Sequence, residues 1–445
     1  MDASSPLRLL RVSAEKGTSS EQLVRTSLAK IRESPSAFVQ VFEESALECA
    51  RSVDKAEIHG PLAGIPIAVK DLLDVARTSK ASGSPTVLGE RVATEDAVVV
   101  RRLREAGAVI IGKTHLSELA FTGLGYNPHY DTPLSPFGRL PGGSSSGSGV
   151  AVSLGLVPAA VGTDTGGSVR IPAAWCGVTG FKPTVGRVPT EGCQTLSDTL
   201  DSIGPLANSV EDCALLFRVM AGLPEAQFPL EPSDTSQLRF LVPNLSFVDV
   251  DGPVLAAFET ALTALEAAGT SLVRAEVPEL ALTLSPTINL MVAEFAATHR
   301  DITDCADMDK IVSGRLRLGS QMKAVDYLHA TSTLRSLRTA VDRATKGFDG
   351  MLMPTVAVVP PTLEHVLSSE AAMAEAAGKT SHFTRIGNGL RRCAVSLPCH
   401  LHEGEGSSPV GLMVVGETDG DEACLAVSAA VEAVLRKAGL GVRKP

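Results

Sequence analysis

Gly162-Thr163-Asp164-Thr165-Gly166-Gly167-Ser168-Val169-Arg170-Ile171-Pro172 is the stretch on which the reading of this chain turns. A short apolar run, Ala159-Ala160-Val161, leads into it and reads as a strand. A double glycine follows, then a serine at the start of a helix. Such a turn exposes the serine and lets the backbone N–H groups of Thr165, Gly166, Gly167 and Ser168 converge on one oxygen. Donors arranged that way stabilise a tetrahedral oxyanion by several kcal/mol. The same string also suits an N-cap serine flanked by two hinge glycines.

Upstream lies Pro141-Gly142-Gly143-Ser144-Ser145-Ser146-Gly147-Ser148-Gly149. A Gly/Ser tract is commonly a linker, but apolar helical sequence from Val150 to Leu156 follows at once. The glycines fit either a close backbone approach to a reacting group or a tight turn. A nucleophilic serine needs a base, and none of the nine histidines lies in a recognisable triad motif. The elbow pattern Gly-x-Ser-x-Gly is missing around Ser168. It occurs literally around Ser145, but after a Pro/Gly loop instead of a strand. Lysine can act as base when neutral, which requires its pKa of about 10.4 to fall by several units on burial. Lys70 ends the apolar run Ile65-Pro66-Ile67-Ala68-Val69, where a strand would deliver it into an interior; a surface lysine at a strand end reads the same way.

Gly107-Ala-Val-Ile-Ile-Gly112-Lys113-Thr114 matches a phosphate-binding loop letter by letter. Its context is wrong, because a helix (Ala97 to Ala106) precedes it and β-branched residues fill it. The spacing predicts further helices from Ser19-Ser20-Glu21-Gln22 onward, over Ser209 to Ala221, Pro253 to Ala268 and Asp421 to Ala438. Strands are expected at Leu62 to Val69, Val109 to Ile111, Arg239 to Pro243 and Met351 to Pro354. Residues 121 to 149 read as largely loop, and residues 364 to 382 as a surface helix or a lid. Alternating strands and helices favour an α/β sheet covered on both faces.

The 445 residues are 44% hydrophobic but only 4% aromatic, so aliphatic side chains fill the core. That length allows two or three domains or one large α/β body. A net charge of −10 without a basic run argues against nucleic-acid binding. Eight scattered cysteines, none in a C-x-x-C pair, fit a reducing compartment better than a disulfide frame or a metal site. Met1 to Leu10 lacks the pattern of a leader and no run reaches about 18 apolar residues. A cytoplasmic protein outside the membrane is expected.

Taken together, Gly64-Ile-Pro-Ile-Ala-Val-Lys70-Asp71, Gly142-Gly-Ser-Ser145 and Gly162 to Arg170 resemble the amidase signature family in residues, order and spacing. The resemblance continues through Phe181 to Thr184, Asp201 to Pro205 and Asp349 to Pro354, and more weakly through Ala394 to Pro398 and Pro409 to Gly411. It implies one α/β domain over residues 1–445, with a large mixed, mostly parallel central sheet flanked by helices on both faces. The signature core would span about residues 60–210, and residues 211–445 would complete the sheet and the substrate pocket. It implies hydrolysis of a small amide, carbamate, urea-type or ester substrate. In that reading Ser168 is the nucleophile, Lys70 the base, and Ser144, after a cis peptide bond, the proton relay between them. Thr165, Gly166 and Gly167, with Ser145 beside them, would form the oxyanion hole. Neither metal nor organic cofactor is implied, and a homodimer is compatible.

Ala120, Phe121 and Tyr126 fall where relatives line the acyl pocket. The chain departs from the family at Ser146 and Gly149, and at Gly389-Leu-Arg391-Arg392-Cys-Ala, where Gly-Leu-Pro-Ala is usual. Arg391 or Arg392 would there meet an acidic substrate group or form a surface salt bridge. The alternative reading is the glutaminase component of a tRNA-dependent amidotransferase, which works with partner proteins.

Overall fold

Successive residues of the central strands face opposite sides, and both sides are apolar. Ile67, Val69, Ile110, Ala159 and Val161 join one buried cluster, while Ala68, Val109, Ile111 and Ala160 join another. A strand buried on both faces reads as a continuous apolar run, which is why these segments do not alternate in sequence. The computed structural model describes residue 7 and residues 18–85, 91–224, 233–302, 305–400 and 408–441. The ends of the chain, including Met1 to Pro6 and residues 442–445, lie outside the described residues.

Eleven strands form one sheet. They are β1 (Phe38–Val41), β2 (Pro66–Lys70), β3 (Val109–Thr114), β4 (Ala159–Asp164), β5 (Thr179–Lys182), β6 (Ser202–Ala207), β7 (Arg239–Pro243), β8 (Ser271–Ala275), β9 (Gly350–Pro354), β10 (Ala394–Pro398) and β11 (Gly411–Val415). Their order across the sheet is β1-β3-β2-β4-β6-β5-β10-β11-β9-β7-β8. Parallel pairing occurs in two blocks, β3-β2-β4 and β9-β7-β8. Antiparallel pairs join the blocks through β6, β5, β10 and β11. The sheet is therefore mixed, large and continuous from the N-terminal to the C-terminal half, as the resemblance implies.

Helices Val98–Glu105, Val210–Ala221, Gly252–Ala267 and Asp421–Lys437 cover one face. Ser20–Glu33, Glu43–Asp54, α1 (Ser146–Ser153) and α2 (Arg170–Cys176) cover the other. A further layer packs α3 (Leu284–Thr298) against α4 (Lys310–Ser320) and α5 (Ala324–Ala344). The helical stretch Glu279–Thr298 is long and apolar enough to cross a membrane, but 44% of that window is buried inside the protein.

Most expected elements stand within a few residues of their predicted bounds. Ser19 caps the first described helix, its Oγ accepting the Gln22 N–H at 3.1 Å. Two differences matter. α1 begins at Ser146, inside the tract expected to be loop. All of its residues are buried, so packing overrides the poor helix propensity of Ser and Gly. Residues 364 to 382 form a short helix, Leu363–Leu367, then α6 (Glu370–Lys379) and the start of α7 (His382–Gly389). The phosphate-loop look-alike is β3. Lys113 is buried, its Nζ donating to the Ser79 carbonyl and lying 3.3 Å from Asp71 Oδ1.

Candidate active site

Three elements end at the same place. β2 stops at Lys70, β4 runs into the Gly166-Gly167 turn, and α1 starts just after Ser144. Lys70 has the same parity along β2 as Ala68, which packs on the face that α1 covers. Lys70 is fully buried, and its Nζ donates to Ser144 Oγ at 2.8 Å and to Thr163 Oγ1 at 2.7 Å. The Gly143–Ser144 peptide bond is cis. Burial pulls the Lys70 pKa down to about 7, against the opposing pull of Cys193, Asp201 and Asp164. An amine near neutrality can both take and return a proton at physiological pH.

Ser168 is 8% exposed and opens onto a cavity that it shares with Thr165, Gly166, Ala120 and Phe121. Its carbonyl accepts the Ser145 N–H at 3.3 Å, which ties it to the start of α1. Among the described residues, no acceptor takes the backbone N–H of Thr165, Gly166 or Ser168. These three N–H groups are uncommitted donors on residues that line the Ser168 cavity. Gly167 is not among them, because its N–H donates to Asp164 Oδ1 at 2.8 Å. Ser145 is committed as well. Its hydroxyl donates to the Thr163 carbonyl and accepts the Thr163 N–H, both at 3.3 Å.

Asp164 fixes the turn. Besides Gly167 it accepts the Val169 N–H at 3.2 Å, Arg170 Nε at 3.0 Å, Arg170 Nη2 at 2.9 Å and Asn388 Nδ2 at 2.8 Å. Burial opposes its ionisation, but Arg170, Lys182 and Asn388 prevail and hold its carboxyl below the usual carboxylate range. Arg170 also donates to the Thr384 carbonyl and Asn388 Oδ1 of α7, which joins the C-terminal half to the turn. Only glycine suits position 167. Its φ is +129°, and a Cβ there would lie 2.2 Å from Thr384 Oγ1.

The remaining predicted pocket residues are placed elsewhere. Tyr126 lines a larger adjoining cavity of about 830 Å³ instead of the one at Ser168. Arg392 is buried, with Nη2 2.7 Å from both Asp342 Oδ1 and Thr345 Oγ1. Arg391 follows α7 in a left-handed turn at φ +59°. Neither arginine lines the Ser168 cavity; Arg315 of α4 and Arg385 of α7 do. Sequence reading missed these two, along with Thr163 and Asn388. For Arg170 a signal existed, a charge set among Val169, Ile171 and Pro172, as a buried ion pair requires. For Arg315 and Arg385 no local pattern marks them. Among the described residues, no group of three or more His, Cys, Asp or Glu is arranged to hold a metal ion, and all eight cysteines are free thiols.

The departures from the family have local partners. Ser146 Oγ lies 2.8 Å from His115 Nδ1. A Cβ at Gly149 would approach Pro172 Cβ to 3.0 Å and Cys176 Sγ to 3.1 Å, so the glycine allows α1 and α2 to pack closely.

The chain matches the Amidase family over residues 22–425. It is 35% identical over 400 residues to the 2-amino-5-chloromuconic acid deaminase of Comamonas testosteroni, covering 86% of this chain and 84% of that protein. It is 32% identical to one component of the glutamyl-tRNA(Gln) amidotransferase of Cupriavidus taiwanensis, over 91% of both chains. A crystal structure of an amidase superposes with a TM-score of 0.86 at 32% identity, covering 97% of this chain and 99% of that one. With its sheet, its turn and its buried lysine in place, the chain belongs to the amidase family and is a hydrolase of carbon–nitrogen bonds other than peptide bonds.

Proposed function

We propose that the chain hydrolyses a small amide through an acyl-enzyme on Ser168, with Ser144 as proton relay and Lys70 as base. The observation that carries this is the buried Lys70 amine, 2.8 Å from Ser144 Oγ with a pKa of about 7. Neutral Lys70 accepts the Ser144 proton while Ser144 takes that of Ser168. The Ser168 Oγ bonds to the carbonyl carbon, and the oxyanion forms against the N–H groups of Thr165, Gly166 and Ser168. As the intermediate collapses, the C–N bond breaks and the relay returns the proton to the departing amine. Water then attacks the ester by the same relay, releasing the acid and freeing Ser168. Carbamate, urea-type and ester substrates would use the same steps.

The test is rapid quenching during turnover, followed by peptide mass analysis. An acyl adduct on the peptide carrying Ser168, absent in Ser168→Ala, supports the reading. An adduct on another residue overturns it. The similarity to an amidotransferase component supports a second reading, in which the same site releases ammonia from glutamine for partner proteins. Glutamine as the best amide, cleaved efficiently only when partners are added, would favour it.

A further inference from the structure

The cavity at Ser168 has an unusual charge. Arg315 and Arg385 both line it, and among the described residues no acidic one does. Arg385 Nε is buried without an acceptor among the described residues, and nothing offsets the cost of its burial, which pulls its pKa down to about 10. Arg315 is pulled to about 9 by burial and then by the repulsion of Arg385, against a weaker opposing pull from Asp309. Asp309 is already engaged as the cap of α4, accepting the Ile311 and Val312 N–H groups. Arg315 instead donates Nη1 to the Phe121 carbonyl and sits 4.8 Å over the Phe121 ring. Two half-buried guanidinium groups thus line one cavity, and among the described residues no carboxylate forms an ion pair with either. Buried charges are normally paired, and a guanidinium fork matches a planar carboxylate in both geometry and charge. The rest of the lining includes Phe121, Ile171 and Met291, an apolar wall suited to a short carbon chain.

We propose that the substrate is an amide that also bears a free carboxylate, which docks between Arg315 and Arg385 while its amide carbonyl reaches Ser168. This rests on the amidase reading above and narrows it to acids of the amic type. The inner cavity, about 20 Å³, has room for roughly one water molecule. Arg315 also borders the outer cavity of about 830 Å³ lined by Tyr126, Met308 and Met373. Its side chain stands where the two meet. Access then requires Arg315 to leave the Phe121 carbonyl, and the incoming carboxylate supplies the replacement partner.

The experiment compares malonamate, succinamate and glutaramate with neutral amides of matched length. Alongside, malonate, succinate and glutarate are tried as inhibitors and as thermal stabilisers, with sulfate as the control anion. The wild type is run beside Arg385→Met, Arg385→Lys and Arg315→Met, each checked by its melting temperature. The expected result is a preference for the amic acids of about 10- to 100-fold in kcat/KM. That preference should shrink in both Met variants mainly through KM, and Arg385→Lys should restore part of it. Dicarboxylates should stabilise the wild type more than sulfate does, and the Met variants less. Neutral amides cleaved as well as amic acids by the wild type, with no dicarboxylate effect, would overturn the proposal and leave the amidase reading intact. Dicarboxylate binding that depends on Arg385, with no amide of either kind cleaved, would uphold the anion site and sink the amidase reading.

Discussion

Replacing Asp164 by Asn tests what holds the serine turn. The carboxylate accepts five hydrogen bonds, three on Oδ1 and two on Oδ2. An Asn amide has one acceptor. In its better orientation the NH2 group faces Val169 N–H and Arg170 Nε, so two attractive contacts become donor against donor. The buried Arg170, 0% exposed, loses its counter-charge at the same time. Breaking a buried pair from one side costs about 3–5 kcal/mol. Unfolding entropy of roughly 2 cal/mol/K per residue makes 1 kcal/mol worth about 1 °C in a chain this long. The melting temperature should therefore fall by about 3–5 °C in scans at a matched rate. Val169 N–H, next to Ser168, loses its acceptor, so the neighbouring N–H donors shift, and kcat should fall by roughly 100-fold or more. Adding Arg170→Met removes the orphaned charge, so the double variant should melt higher than Asp164→Asn alone. A single variant within about 1 °C and about twofold of wild type would refute the reasoning.

Activity should follow the protonation of Lys70. Burial disfavours its ammonium form, so the proton leaves at about pH 7, and the base works only when neutral. A profile of kcat/KM should climb about tenfold per unit below that pH and level off above it. Asp201 favours the charged lysine, so Asp201→Asn should move the midpoint down, and a midpoint that moves up would contradict this assignment. Gly167→Ala puts a Cβ 2.2 Å from Thr384 Oγ1 and 2.8 Å from Ile171 Cδ1 at a φ hostile to alanine. It should abolish turnover and lower the melting temperature. Gly149→Ala meets its neighbours at 3.0 and 3.1 Å and should be milder on both counts, as calorimetry beside a rate assay would show.

The fold and the candidate site are legible in the sequence to different depths. β7 stands at its predicted bounds, and Val210–Ala221 starts where Ser209 signals a cap, because strand runs and capping residues act locally. The helix of α1 is legible from Val150 on, but its start at Ser146 is obscured because Ser and Gly are weak helix formers. What makes it helical is contact with residues far along the chain, such as Thr114 Oγ1, 2.8 Å from Ser148 Oγ. Ser144 and Ser168 stand out through their glycine-rich surroundings, and Lys70 as the charge that ends an apolar run. The N–H donors of the Thr165 to Ser168 turn are legible as a group but not one by one. Which N–H is free depends on Asp164, and Asp164 is aimed by Arg170 and by Asn388, 224 residues away. The pocket arginines belong to helices whose local sequence does not mark them, and only the packing of α3, α4 and α7 over the turn brings them to Ser168. Arg392 carries the same charge just beyond α7, yet it turns away to Asp342.

The most direct measurement is amine or ammonia release from a panel of small amides by the purified chain alone, with Ser168→Ala and Lys70→Met beside the wild type. The account predicts turnover by the wild type without partner proteins and a loss of at least about 1,000-fold in each variant, both remaining folded. Turnover that survives in Ser168→Ala would contradict the account at its centre.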